Sequence, residues 1–554
     1  MTSRLAATFV LTLLLVSPAV GEEAELILSG GRIWTGDDEH PWAEAVAIAG
    51  ERLIAVGRDE EVAAHAGTQT RSVDLAGRFV APGFIDNHTH FNRAGDLLLG
   101  INLLDADDDE TLVRRVEEAQ KRLPEGAWIV GGDWSAYNLE STWRPHRDTI
   151  EPSTSGRNPL LLAKWDRSLY LANAMALEAA GAGCDWEGVE CDAGGEMTGR
   201  LTRDAGDRVR QAMPEKSLDQ RLAEARLALA RLAGHGVTTI HDITPATQLH
   251  VYQELLRRGE LTTRIYARPT LDKWEHLARL GIRHGFGDDW IRIGGLKGFV
   301  DGIMGNSSAR FYEPYLTSGK RGEWRDMMRP DGNMQKLLIG ADAAGHWPQV
   351  HAIGDEAIDH LLDLYEGMIE VNGPRERRLR IIHTQVLRNA DVAARMARLG
   401  IIAEVQPYHA IDDMRWMEPR IGDRARWAYA FRTLQEAGVR LSFGSDWPGT
   451  NASWYPSRPM LGIYAAVTRQ TLEGQPAQGW FPEERIDLES ALHAYTTSNA
   501  WVAGEEGSKG RLAPGLLADL VVLDRNPFEI PAAALKDVGV EVTLVGGRIV
   551  HGTL

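Results

Sequence analysis

The sequence predicts an α/β protein, a (β/α)8 TIM-like barrel that carries a small composite β-sandwich built from both termini. Short apolar segments alternate with helical patterns through the middle of the 554-residue chain, which is typical of parallel βα units. Two β-rich regions flank this part, and Gly546-Gly547-Arg548-Ile549 repeats the pattern of Gly30-Gly31-Arg32-Ile33. With 44% hydrophobic residues, the chain is long enough to bury a barrel core and a second, smaller core.

The N-terminus has the pattern of a secretory signal peptide over residues 1–21. Arg4 precedes the apolar run Leu5–Val16, and small residues follow at Ser17–Gly21. The run is too short to span a bilayer, so we expect a periplasmic or secreted protein with no membrane attachment after signal cleavage. In an exported protein, the nearby pair Cys184 and Cys191 predicts a local disulfide.

The charge balance argues against nucleic acid as a partner. The chain has 60 Lys and Arg against 78 Asp and Glu, a net charge of −18, and it lacks the basic excess that nucleic-acid binding needs. We expect a small-molecule substrate, and the sequence leaves homo-oligomerisation open.

The domain organisation follows from the order of the strand patterns. Residues 22–80 and 505–554 are predicted to pack together as the composite β domain, and residues 81–504 to form the barrel. Nine strand candidates occur between them, one more than a closed barrel needs. The gap before Val237 is far too long for a simple βα connection. We therefore assign Pro159–Lys164 to a tryptophan-rich insertion over residues 92–232, which is expected to roof the active site.

An apolar run over residues 79–87 leads into His88-Thr89-His90. Successive side chains of a strand point to opposite faces, so His88 and His90 project to the same side. Two neutral imidazoles converging at a strand end can hold a divalent metal, and zinc prefers such ligands.

Four further candidate ligands recur downstream, each at the end of an apolar run. They are Lys297, His351, His383 and Asp446. Residues at the carboxyl ends of barrel strands meet at one mouth of the barrel, which is where active sites of this architecture lie. The order of these residues after the His-x-His pair predicts one metal-binding cluster.

The ligand order and its flanking segments resemble the amidohydrolase superfamily. The segments Val237–Asp242, Lys297–Gly302, His351–Asp355 and Phe443–Pro448 are similar to the amidohydrolase-3 branch, which contains N-substituted formamide deformylase-like proteins. Together with other similar segments, they cover nearly the whole mature chain.

This resemblance implies a role for each ligand. His88, His90 and Asp446 would bind one metal, and His351 and His383 a second. Lys297, carboxylated by CO2, would bridge the two ions, because a carbamate supplies anionic oxygens where an ammonium would repel cations. Unmodified Lys297 would favour a single ion. The expected cofactor is one or two divalent ions, with zinc preferred.

The implied reaction is hydrolysis of an amide or related non-peptide C–N bond by metal-activated water. Asp446 would act as general base and then as general acid. Weaker expectations place substrate contacts at residues just beyond predicted strand ends or in the insertion: Asp133, Trp134, Asp166, His241, Asp301, Gln406 and His409.

Two alternatives stay open. The same scaffold can act on a lactone, an ester or a cyclic amidine, because barrel loops change the chemistry without changing the fold. A non-catalytic exported metal-binding or solute-binding protein is the other alternative.

Overall fold

A computed structural model describes residues 23–554 except 137, 139–140, 155 and 450–455. The predicted signal peptide, residues 1–21, lies outside the described residues. Among the helices of the described part, none combines the length and apolar character that a membrane crossing requires.

The strands are β1 (Ala24–Ser29), β2 (Arg32–Trp34), β3 (Trp42–Ala43), β4 (Ala45–Ala49), β5 (Arg52–Gly57), β6 (Ala66–Asp74), β7 (Phe79–Pro82), β8 (Phe84–Thr89), β9 (Ile101–Asn102), β10 (Ile129–Trp134), β11 (Leu160–Lys164), β12 (Tyr170–Ala172), β13 (Val189–Cys191), β14 (Met197–Leu201), β15 (Val237–Ile243), β16 (Arg264–Arg268), β17 (Ile291–Ile293), β18 (Leu296–Phe299), β19 (Pro348–Ala352), β20 (Arg380–His383), β21 (Ile402–Val405), β22 (Leu441–Phe443), β23 (Leu520–Leu523), β24 (Val540–Val545) and β25 (Arg548–His551).

The α-helices are α1 (Asp59–Ala63), α2 (Phe91–Leu99), α3 (Asp109–Arg122), α4 (Arg147–Thr154), α5 (Ala174–Ala180), α6 (Arg203–Arg210), α7 (Leu218–Gly234), α8 (Ala246–Arg257), α9 (Trp274–Arg279), α10 (Asn333–Ala343), α11 (Asp355–Asn372), α12 (Ala390–Leu399), α13 (Pro407–Asp413), α14 (Met417–Ile421), α15 (Phe431–Glu436), α16 (Pro459–Thr468), α17 (Leu488–Tyr495) and α18 (Thr497–Ala503). Short 3-10 helices cover Leu271–Lys273, Asp326–Met328, Gly422–Trp427, Pro482–Glu484 and Ala532–Asp537.

Strands from both ends of the chain share one six-stranded sheet, in the order β25-β24-β23-β7-β2-β3. β23 lies antiparallel to β7 and pairs Val521 with Ala81. A second sheet has the order β5-β4-β1-β6. Leu26 and Val46 of that sheet share one apolar cluster with Val80 of the first, so burial of β-branched and leucine side chains holds the two sheets together. The domain boundaries at residues 80 and 505 remain a prediction.

A separate six-stranded sheet, in the order β13-β14-β12-β11-β10-β9, lies in sequence between β8 and β15. β11 is the strand candidate that the sequence assigned to the insertion, and it pairs with β10 and β12 of this sheet. Cys184 and Cys191 form a disulfide in the same region, with their Cα atoms 6.0 Å apart. The predicted limits of the insertion, residues 92 and 232, fall inside α2 and α7, which share an apolar cluster with Ile240 of β15.

The remaining strands form two parallel sheets, in the orders β17-β16-β15-β8 and β18-β19-β20-β21-β22. Their side chains are almost all buried on both faces, which explains why these segments are nearly continuous apolar runs. The α/β class is confirmed. The strand candidates other than β11 lie in these two sheets. The first candidate, Phe79–Asp86, is divided: its Phe79–Pro82 portion is β7 of the sheet built from both ends of the chain.

The two parallel sheets meet at both of their edges. On one side, Lys297 of β18 donates its backbone N–H to Pro269 at 2.8 Å, just after β16. On the other side, Thr89 forms a parallel bridge with Trp447, and His90 donates its backbone N–H to Trp447 at 2.8 Å. β17 and β18 are separated by Gly294 and Gly295; a Cβ atom at Gly294 would lie 2.1 Å from the Tyr266 ring, so glycine is required there.

Candidate metal centre

The carboxyl ends of the parallel strands bring the predicted histidines together. His88 lies near the end of β8, and His383 is the last residue of β20. The ring centroids of His88 and His383 are 5.2 Å apart, those of His351 and His383 are 4.6 Å apart, and those of His88 and His90 are 5.4 Å apart. Four imidazoles from three different strands and the turn after β8 therefore meet at one place.

Asp446 follows β22 and completes this group. Its Oδ1 lies 3.3 Å from the Nε2 of His88 and 3.1 Å from the Nε2 of His90. His88, His383 and Asp446 each offer one ligand atom. These three atoms lie within 4.8 Å of one another, a spacing that a single cation can bridge. His383 and Asp446 both adopt positive φ, 76° and 58°, a strained backbone that non-glycine residues show most often at functional sites.

Hydrogen bonds to three separate acceptors fix the orientation of three of the imidazole rings. His88 Nδ1 lies 2.8 Å from a Glu404 carboxylate oxygen, His383 Nδ1 lies 2.7 Å from the Gln406 side-chain oxygen, and His351 Nε2 lies 2.9 Å from the Gly302 carbonyl oxygen. Because each acceptor requires a proton on the nitrogen it faces, the opposite nitrogen keeps its lone pair for a metal.

The atoms that face the centre of the group fit a bound cation. Among the described residues, His88 Nε2 and Asp446 Oδ1 are buried and have no hydrogen-bond partner. Burial first, and the charge of Lys297 second, lower the pKa of His88 to about 3, so its imidazole is neutral, as a metal ligand must be. Burial opposes ionisation of Asp446, yet His88 and His90 hold its pKa well below the usual range, so it is a carboxylate. The residues present fit a divalent metal.

Lys297 is buried beside this group. Its Nζ lies 4.9 Å from the centroid of the Phe299 ring. Burial, followed by the charge of Arg268, lowers the pKa of Lys297 to about 7, while the carboxylates of Glu404 and Asp446 oppose the shift. A large fraction of this amine is therefore unprotonated at neutral pH, the form that can react with CO2.

Glu404 is a functional residue that the sequence reasoning missed. It is fully buried on β21 and accepts hydrogen bonds from Arg268 at 2.8 Å and Arg380 at 2.9 Å, besides its contact with His88. The two guanidinium groups allow a buried carboxylate to stay ionised under the ligand. An acidic residue inside the apolar run Ile401–Val405 was the signal that could have found it.

Asp86 and Asp242 were also missed. Asp86 accepts hydrogen bonds from the backbone N–H of Ser445 at 2.9 Å and of His88 at 3.0 Å, and so ties the end of β22 to β8. Asp242 accepts the backbone N–H of Phe91 at 2.8 Å and so anchors the turn after His90. Both are buried acids within apolar strands, as Glu404 is.

The residues predicted more weakly lie around the centre in different roles. Gln406 contacts a metal-ligand candidate, His383, as described above. Asp301 accepts the backbone N–H groups of Ile353 and Gly354 at 3.1 and 2.9 Å, and lies 3.4 Å from the Nε2 of His351. The Nδ1 of His241 lies 3.0 Å from Arg380.

The other weakly predicted residues lie in the insertion or on the helix after β21. Asp133 and Trp134 end β10 and are buried. Asp133 has positive φ, 54°, and lies 3.6 Å from the Nε of Arg167. His409 lies on α13, where burial lowers its pKa and the charges of Asp446 and Asp412 oppose that shift. Substrate contact by any of these residues remains a prediction.

The chain belongs to the amidohydrolase family, whose amidohydrolase-3 profile matches residues 71–551. It is 33% identical to Protein LONG AFTER FAR-RED 3 of Arabidopsis thaliana, over 97% of this chain and 93% of that protein. It is 26% identical to the N-substituted formamide deformylase of Arthrobacter pascens, over 94% of this chain and 97% of that protein.

A solved structure supports the same family assignment. An uncharacterized metal-dependent hydrolase from Pyrococcus furiosus is 27% identical, matches with a TM-score of 0.73 and covers 91% of this chain and 100% of its own. The predicted family is therefore confirmed, and with it a hydrolase of the metal-dependent amidohydrolase superfamily with a small-molecule substrate.

Proposed function

We propose that this protein is an exported metal-dependent hydrolase that cleaves an amide or a related non-peptide C–N bond. The observation that carries the proposal is the convergence of His88, His383 and Asp446 around one point, with one ligand atom of each within 4.8 Å of the others. A relative named as a formamide deformylase supports C–N chemistry, and export rests on the sequence of residues 1–21 alone.

We further propose that the two parallel sheets close into one eight-stranded barrel, with β17 and β18 acting as a single interrupted strand. The contacts at both sheet edges, near Lys297 and near Thr89, support this closure. A closed barrel places every ligand candidate at its carboxyl-end mouth, where the insertion can cover the site.

Zinc, as one or two ions, is the proposed cofactor. His88, His90 and Asp446 would hold one ion, and His351 and His383 a second, with carboxylated Lys297 between them. A bound divalent ion would lower the pKa of a water molecule and polarise the carbonyl under attack.

The protein's own residues supply the proton transfers and the orientation. The ionised Asp446 carboxylate accepts a proton from the attacking water and returns it to the departing amine, as general base and then general acid. Glu404 and Gln406 hold His88 and His383 in one tautomer, so that the ligand nitrogens keep a fixed direction during the reaction.

The test uses the full-length protein loaded with zinc, and a panel of N-formyl amines, other N-acyl amines, lactones, esters and cyclic amidines. We expect amine release from members of the N-acyl group, and loss of it in H383A with the metal content reduced. H276A, which changes an exposed histidine on α9, is the matched control and keeps full activity.

Turnover of lactones alone would overturn the amide assignment and support the first alternative. Absence of hydrolysis across the whole panel by metal-loaded protein would support a binding protein instead. Fractionation of cells that express the full chain tests export, and a mature N-terminus near Glu22 is the expected result.

A further inference from the structure

A cavity of about 420 Å3 lies between the insertion and loops that follow the barrel strands. Its lining includes Trp165, Asp166, Arg167, Arg203, Asn306 and Arg420. Three guanidinium groups against one carboxylate give it a positive lining, in a chain whose net charge is −18. The volume suits one end of a small organic molecule.

Arg420 is held rigidly at this cavity. Its Nη1 donates to the carbonyl oxygens of Met304 and Gly305 at 2.8 and 2.6 Å. The guanidinium carbon lies 4.6 Å from the Trp416 ring centroid and 5.8 Å from that of Trp165. Within the described part of the chain, the hydrogen bonds of this side chain use Nη1 alone, so Nη2 and Nε keep their N–H groups for a ligand.

The acid in the cavity is already engaged elsewhere. Asp166 accepts hydrogen bonds from the backbone N–H and the hydroxyl of Ser168 at 2.9 and 2.6 Å, and lies 3.9 Å from Lys164. Arg203 is exposed, and its Nη2 donates to the Asp166 carbonyl oxygen at 3.5 Å. The lining therefore offers more donors than its own carboxylate can satisfy.

Arg167 adds a second cation at a strained position. Its φ is 60°, and its Nε lies 3.6 Å from Asp133 without a hydrogen bond. Asp133 offsets part of this charge. The lining thus holds three guanidinium groups against the carboxylate of Asp166, with Asp133 as a second carboxylate beside Arg167.

Gly302 connects the metal centre to the cavity along the chain. The Gly302 carbonyl oxygen contacts His351 Nε2, and Gly305 to Ser307 line the cavity three to five residues further on. Three extended residues span at most about 11 Å, so Gly305 lies within that distance of Gly302. Arg93 lies within electrostatic range of both regions. Burial, followed by the charge of Arg167, lowers the pKa of Arg93, and the charge of Asp446 opposes this shift.

We propose that Arg167, Arg203 and Arg420, named here the arginine pocket, bind a carboxylate group of the substrate. This inference rests on the proposed function. The preferred substrates are then N-acyl compounds that carry a carboxylate away from the scissile amide. Guanidinium groups suit this ligand because their paired N–H donors match the two carboxylate oxygens.

The test compares N-acetyl amino acids with their neutral N-acetyl amino amides, using zinc-loaded full-length protein. Binding is measured by isothermal titration calorimetry and hydrolysis by amine release. We expect the acid to bind at least about tenfold more tightly than its amide, and R420Q and R203Q each to remove most of this preference. R420K keeps the charge but loses the paired donors, and is expected to fall between the two.

R398Q is the matched control, because Arg398 is an exposed arginine on α12 whose side chain is 66% accessible. Equal binding of acid and amide by the wild type overturns the arginine pocket, even if both are hydrolysed and the proposed function stands. A preference that survives R420Q and R203Q, or that R398Q also removes, overturns it as well. A preference for the acid that depends on Arg420 and Arg203 supports the pocket, and absence of hydrolysis in that case counts against the proposed function alone.

Discussion

Glu404 lies 2.8 Å from the Nδ1 of His88 and turns the opposite nitrogen of that ring toward Asp446. The same carboxylate receives hydrogen bonds from Arg268 and Arg380. One buried acid thus orients a metal-ligand candidate and accepts hydrogen bonds from two buried guanidinium groups.

E404Q tests this coupling. The neutral amide leaves two buried guanidinium groups without a counter-charge, which costs about 3–5 kcal/mol of stability. It also weakens the orientation of His88, so we expect zinc affinity to fall about 10- to 100-fold in chelator competition. D519N, which disrupts the buried ion pair of Arg264, is the control: its unfolding free energy falls but its zinc affinity does not. Unchanged zinc affinity in E404Q would count against the orienting role.

D446N tests the proton-transfer role of the carboxylate. An amide is a far weaker base, so kcat on the best N-acyl substrate is expected to fall about 10²- to 10⁴-fold. D342N is a matched substitution of a buried acid, paired with Arg377 away from the cluster, and its kcat stays near the wild-type value. A kcat for D446N within threefold of wild type would remove Asp446 from the mechanism.

K297M tests whether Lys297 sets the number of metal ions, as we propose. Because burial lowers the pKa of Lys297 to about 7, the neutral amine is available to CO2 near neutral pH. Protein reconstituted with zinc in bicarbonate-containing buffer is expected to hold two ions, and K297M no more than one, by elemental analysis. Two ions in K297M, or in wild type prepared without CO2 and bicarbonate, would contradict the carbamate.

Asp413 is expected to make the free energy of unfolding depend on pH. Burial, with the nearby Asp412 charge second, raises the pKa of Asp413 to about 8, whereas an unfolded Asp titrates near 3.9. Between these values the native state binds more protons, so its contribution to stability is present at low pH and is lost as pH rises toward 8. We expect urea unfolding at pH 5 and pH 8 to show a larger loss for wild type than for D413N. Parallel losses would show that Asp413 keeps an ordinary pKa in the native state.

Much of the metal centre could be predicted because each ligand candidate ends an apolar run. His383 after Arg380-Ile-Ile and Asp446 after the run from Leu441 are polar residues where parallel strands stop, and such ends meet at one edge of a sheet. The α/β class followed from the same alternation of strand and helix patterns.

The supporting residues could not be predicted in the same way. Glu404, Arg268 and Arg380 lie on three strands, and one sequence carries no signal that pairs Glu404 with Arg268, 136 positions away, or with Arg380, 24 positions away. The arginine pocket was missed for a related reason: Arg167 lies in a turn of the insertion and Arg420 on α14, far apart in sequence, and only the packing of the insertion brings them to one cavity.

The pairing of β7 with β23 joins Ala81 to Val521, 440 positions further along the chain. The sheet that contains both strands can therefore assemble only after the chain has been synthesised through β23, which ends at Leu523. A product truncated shortly before Leu520 would leave one side of β7 as an open edge, the kind of surface that recruits other chains. Assembly of this sheet therefore depends on a segment near the end of the sequence.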